Sequence, residues 1–73
     1  MVFDFRKLRG RIIEVFGSYA GLAKALNMSP AQLSDRLNNR ISFKPDEIYT
    51  IASPEVLNIP SEEIPRYFLT PLV

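Results

Sequence analysis

A chain of 73 residues, 47% hydrophobic and 23% charged, has the make-up of one globular domain with room for a single modest core. It contains neither Cys nor His, which leaves no disulfide framework, no thiolate or imidazole metal site and no common nucleophile–base pair; no enzymatic activity, cofactor or metal is expected. No apolar run approaches the roughly 18 residues of a membrane span, and the N-terminus lacks a signal-peptide layout, so a soluble cytoplasmic domain is expected.

The net charge of +1 conceals an asymmetry. Residues 1–40 carry seven Lys/Arg against three Asp/Glu, whereas residues 41–73 carry two against five. A basic front half suits an anionic partner, but a dedicated nucleic-acid binder is usually more basic than this.

In chain order the pattern predicts five short helices in one domain spanning residues 1–73. For the first, Asp4 is the expected N-cap, with Phe5, Leu8, Ile12, Val15 and Phe16 at helical spacing, a staple between Phe3 and Leu8, and Gly17 as terminator. Ser18 caps a second helix, Tyr19 to Leu26, with Leu22, Ala23 and Leu26 inward. Asn27 then stands where a helix end wants a residue tolerant of left-handed backbone. Ser29-Pro30-Ala31-Gln32 opens the third helix with an N-cap, a proline at the first helical position and a capping-box glutamine. Met28 and Leu33 form a second staple. One helix stops and another starts within about three residues, which is the local chemistry of a helix-turn-helix over about residues 18–38.

The third helix ends near Leu37 or Asn38, followed by the polar turn Asn38-Asn39-Arg40. Lys44-Pro45-Asp46-Glu47 opens a fourth helix with two acids at its positive end and Ile48 and Ile51 inward, and Ser53-Pro54 stops it. Ser61-Glu62-Glu63 starts a last short helix whose Ile64, Tyr67 and Phe68 share a face, with Pro65 limiting its regularity. Phe3, Phe5, Phe16, Phe43, Tyr67 and Phe68 are expected in the core, and Tyr19 and Tyr49 at the surface. Thr70-Pro71-Leu72-Val73 reads either as a frayed tail or as an apolar contact segment.

From Phe3 to Phe68 this order resembles the phage repressor and Cro-like helix-turn-helix family. The resemblance centres on Leu22-Ala23, Asn27 where that family usually has Gly, Ser29 and Leu33. The segments FDFRKLRGRIIEVFGS, LSDRLNNR and DEIYTIA…IPSEEIPRYF resemble, more narrowly, a group of short repression-modulating regulators from phages of Gram-positive hosts, lactococcal phages among them. That resemblance implies a lambda-repressor-like all-α fold and a role opposing a lysogeny repressor in a lysis–lysogeny switch, through contact with the repressor as well as, or instead of, DNA.

In a helix-turn-helix the second helix enters the major groove. With Leu33 and Leu37 buried, the third helix exposes Ala31, Gln32, Asp35 and Asn38, flanked by Ser34. Gln32 and Asn38 are residue types that pair with adenine edges, and Ala31 suits a thymine methyl. Asp35 is the misfit, a carboxylate aimed into the field of the phosphates. Arg36, Arg40 and Lys44 lie within phosphate reach on the flank, and Arg9 and Lys24 are further phosphate candidates. Each has a plainer alternative: Asp35 pairs with Arg36, Arg40 or another exposed cation, Gln32 is spent on capping, and Arg6, Lys7, Arg9 and Arg11 form a solvated helix face. Two functions are therefore expected to compete. One is a modulator that binds the phage repressor's DNA-binding domain, with operator DNA bound weakly alone and mainly in the complex. The other is a Cro-like repressor that binds operator half-sites directly as a dimer.

Overall fold

The computed structural model describes residues 2–72, which form five α-helices: α1 Arg6–Phe16, α2 Tyr19–Ala25, α3 Pro30–Leu37, α4 Pro45–Ala52 and α5 Ile64–Phe68, the last entered through a 3₁₀ turn, Ser61–Glu63. The expected all-α, five-helix architecture is the one observed.

The helix ends follow the local chemistry closely. Gly17 closes α1 at φ 76°, its N–H donating to the Ile13 carbonyl; a Cβ there would be strained, so glycine is favoured. Ser18 Oγ accepts from the Gly21 N–H and starts α2. Asn27 takes the left-handed conformation at φ 57°. Ser29 and Gln32 then close a reciprocal capping box: the Ser29 N–H donates to Gln32 Oε1 at 2.8 Å, and the Gln32 N–H donates to Ser29 Oγ at 3.1 Å. Two expectations shift. Phe5, one residue after Asp4, occupies the N-cap position of α1 without a cap hydrogen bond and turns its side chain into the core, while the Asp4 carboxylate accepts the N–H of Arg6, the first helical residue. The last helix is split in two, because Pro65 has no N–H to carry α-helical bonding back through Ser61.

The core gathers Leu8 and Ile12 from α1, Leu22 and Ala23 from α2, Leu33 and Leu37 from α3, Ile51 and Ala52 from α4, and Phe68 from α5. Phe5, Phe43 and Phe68 form a chain of edge-to-face rings with centroids 5.4 and 5.3 Å apart, the arrangement aromatic quadrupoles prefer. Phe3, Phe16, Phe43 and Tyr67 are half-buried against this cluster, and Tyr49 is exposed.

Three features have no counterpart in the helical pattern. Leu57 and Ile59, between α4 and α5, are buried; their N–H groups donate to the Ile51 and Ala52 carbonyls, and Asn58 turns the chain between them at φ 51°. Asn39, at φ 62°, uses its side-chain amide to bond both the N–H and the carbonyl of Phe3. The terminal segment is neither frayed nor free: Asp4 N–H donates to the Thr70 carbonyl and Leu72 N–H to the Val2 carbonyl. Val73, the last residue of that segment, lies outside the described residues.

Gly10 sits in the middle of α1 with open space where a Cβ would stand. Gly10→Ala is expected to raise stability by about 0.5–1 kcal/mol, since alanine removes the backbone entropy cost at no steric expense. A thermal melt would then rise by a few degrees; a lower midpoint would contradict the open environment of that site.

Candidate partner-binding face

The exposed side of α3 is set by how Leu33 and Leu37 are buried, with α3 packed on α2 and tied to α1 through Arg9 and to α4 through Arg36. Ala31, Gln32, Ser34 and Asn38 are exposed and Asp35 is half-exposed, so the structure brings these five residues together on one face. Their side chains are not equally available. Gln32 Oε1 is taken by the capping box. Asn38 Nδ2 donates to Ser34 Oγ at 3.1 Å, while Asn38 Oδ1 accepts from Arg9 Nη2 at 3.1 Å.

Asp35 accepts from Arg40 Nη1 at 3.3 Å, with side-chain exposures of 37% and 68%. This is the plainer of the two roles expected for Asp35, and at that exposure the pair is weak. Arg40 itself stays at the rim of the face.

Arg36 requires a correction. Expected on the flank within phosphate reach, it is buried at 9% exposure. Its Nε and Nη2 donate to the two carboxylate oxygens of Glu47 at 2.9 and 3.0 Å, and its Nη1 donates to the Gln32 carbonyl. The reason is geometric: Arg36 follows the inward Leu33–Leu37 stripe closely enough to be carried under α3, where Glu47 from α4 meets it. The guanidinium hydrogen bond holds the Glu47 carboxyl below the usual glutamate range, reinforced by the Lys44 N–H; Glu47 in turn holds Arg36 further toward its charged form. Arg36 therefore fixes the seating of α3 on α4 and is absent from the exposed face.

The other cations show the same economy. Arg9 donates to the Leu37 carbonyl and to Asn38 and lies over the Tyr19 ring, 5.6 Å from its centroid. Arg6 pairs with Asp4, pulling that carboxyl below its ordinary value. Lys7 lies over Tyr67, Arg11 bonds the Leu57 carbonyl and Glu14, and Arg66 meets Glu63. Among the described residues, the ammonium groups of Lys24 and Lys44 alone of the nine cations have no such partner. A phosphate track along α1 would require breaking these contacts first.

The family model described as "Protein of unknown function (DUF739)" matches residues 1–70. The chain belongs to the DUF739 family. No curated protein matches it. Among solved structures this DUF739 protein is similar to the solution structure of the modulator of repression (MOR) of the temperate bacteriophage TP901-1 from Lactococcus lactis. The two are 34% identical over 93% of this chain and 89% of that one, with a TM-score of 0.79. The expected likeness to short phage modulators is thus met, and at that identity it extends beyond architecture. These matches do not reach the wider Cro-like and repressor-type helix-turn-helix family.

Among the described residues, no helix is long and apolar enough to cross a membrane, and no cluster of three acidic residues is placed to hold a metal ion.

Proposed function

We propose that this DUF739 protein is a phage lysis–lysogeny regulator that antagonises a lysogeny repressor by binding it, with DNA contact made mainly within the complex. It acts as a binding protein and not as a catalyst, in the cytoplasm of the bacterial host. The observation that carries the repressor-modulating role is its 34% identity to a modulator of repression across nearly the whole chain.

The spent cations favour protein contact over direct DNA reading. Affinity for duplex DNA is dominated by phosphate neutralisation, and most of the arginines here already hold intramolecular partners. The face of α3 offers a carboxylate and neutral polar groups. A repressor's DNA-binding surface is basic, so it attracts such a face for the same reason that it attracts DNA. The second reading, a Cro-like dimer on operator DNA, is favoured by one observation: the complete capping chemistry between α2 and α3, which would present α3 to a groove.

Asp35 separates the two. Because its side chain is already shared with Arg40 and partly solvated, removing it is expected to weaken repressor binding by about 1 kcal/mol, the scale of a rim charge pair. On the DNA reading Asp35→Ala leaves DNA affinity unchanged or raises it, since a charge repelled by phosphates is gone. Calorimetry of wild type and Asp35→Ala against the repressor's DNA-binding domain and against duplex DNA decides between them. Unchanged repressor affinity with tighter DNA binding would return the protein to the Cro-like reading.

A further inference from the structure

Beside the α2–α3 turn lies a cleft of about 230 Å³ lined by Leu26, Met28, Asp46, Glu47 and Thr50. Its lining is chemically two-sided. Leu26 and Met28 are half-buried against the core and form an apolar floor. Asp46 and Thr50, one helical turn apart on α4, stand at the exposed mouth. Glu47 contributes no free charge, because its carboxylate is balanced by Arg36 and accepts the Lys44 N–H. The Asp46 carboxylate, by contrast, has no ion-pair or hydrogen-bonded partner among the described residues; only its main-chain carbonyl is used, by Thr50 Oγ1. An apolar trough with one unpaired carboxylate at its mouth is complementary to one kind of side chain, a long aliphatic stem ending in a cation. A phosphate is repelled there and a purely apolar group leaves the charge unanswered.

We propose that this cleft receives an arginine or lysine side chain of the protein partner, its stem laid on Leu26 and Met28 and its charged head against Asp46. The inference rests on the repressor-docking reading and names a contact that reading uses. Beneath the surface Arg36 ties Glu47 of the cleft to the Gln32 carbonyl of α3, so the cleft sits at the junction of α3 and α4. A partner whose basic surface spans that junction reaches the cleft. The unbranched Met28 thioether can adjust to either stem.

Two titrations of the intact protein test this separately from the docking reading. In the first, methyl resonances of Leu26 and Met28 are followed while Nα-acetyl-arginine methylamide is added, with the neutral isostere Nα-acetyl-citrulline methylamide as control. The expected result is a saturable shift with the arginine amide, absent with citrulline, abolished in Asp46→Asn and retained in Asp46→Glu. No shift with arginine, an equal shift with citrulline, or an undiminished shift in Asp46→Asn would each overturn the proposal. In the second, Asp46→Asn is expected to weaken binding to the repressor's DNA-binding domain about fivefold, as a partly desolvated charge pair does, while Asp46→Glu largely restores it. If the wild type binds that domain and Asp46→Asn binds it equally well, the cleft is not used and docking stands. If the wild type does not bind it, the docking reading fails, and the amide titration alone decides whether the cleft takes a cation. Circular dichroism of each variant confirms that α4 is kept.

Discussion

Glu47→Ala is expected to cost about 3 kcal/mol of folding stability, the lower part of the range for breaking a buried ion pair by removing one partner. Three losses coincide at this residue. Arg36, whose side chain is only 10% exposed, is left charged with no counter-ion. The Lys44 N–H at the start of α4 loses its acceptor. The first turn of α4 loses one of its two acids, Asp46 and Glu47, from the positive end of the helix dipole. Urea unfolding at neutral pH measures the change, and a midpoint equal to wild type would contradict it. The pair's net worth is a different quantity, because desolvation offsets most of the attraction. The double change Arg36→Met with Glu47→Leu is therefore expected to recover much of what Glu47→Ala loses.

The same pair gives stability a pH dependence with a defined sign. The folded-state pKa of Glu47 lies below its ordinary value of 4.5. Its contribution is therefore fully present above that value and is lost as pH falls through the lower, folded-state one. Wild type is expected to weaken in acid more steeply than Glu47→Ala; parallel pH profiles for the two would contradict the pairing.

Leu33→Ala is expected to be comparably costly, about 2–5 kcal/mol, the range for truncating a buried leucine. Leu33 is fully buried and sits one turn after the Ser29 cap, where α3 meets α2. A domain of this size has a total stability on the order of 4–11 kcal/mol, so the variant is expected to be partly unfolded at growth temperature. Leu33→Met, which conserves volume, is expected to cost less than about 1.5 kcal/mol. Equal thermal midpoints for Leu33→Ala and wild type would remove Leu33 from the core, and with it the orientation of the α3 face.

What the sequence makes legible here is local. Gly17, Ser18, Asn27 and the Ser29–Gln32 box each act within four residues of themselves, and each is found in its expected role. Pairings between distant segments leave no such trace. The burial of Arg36 depends on Glu47, eleven residues away on another helix, and nothing in LSDRLNNR distinguishes a buried arginine from an exposed one. Leu57 and Ile59 flank a single turn residue, too short a run for any periodicity to show. Asn39 reads as a loop residue, yet its amide holds the N-terminal segment in place. On the candidate face, the neutral polar residues were readable from the positions of Leu33 and Leu37. The commitment of Arg9 to Leu37 and Asn38 was not, because it joins α1 to the end of α3.

The proposed function has the protein acting on a repressor and not chiefly on DNA. It is tested most directly by adding the wild-type protein to a preformed complex of the repressor with its operator, at physiological salt, and following both by gel shift. The repressor–operator band is expected to be lost or changed at protein concentrations that leave operator DNA alone unshifted. Tight, sequence-selective binding to the operator by this protein alone, with the repressor complex displaced only through competition for that DNA, would contradict it.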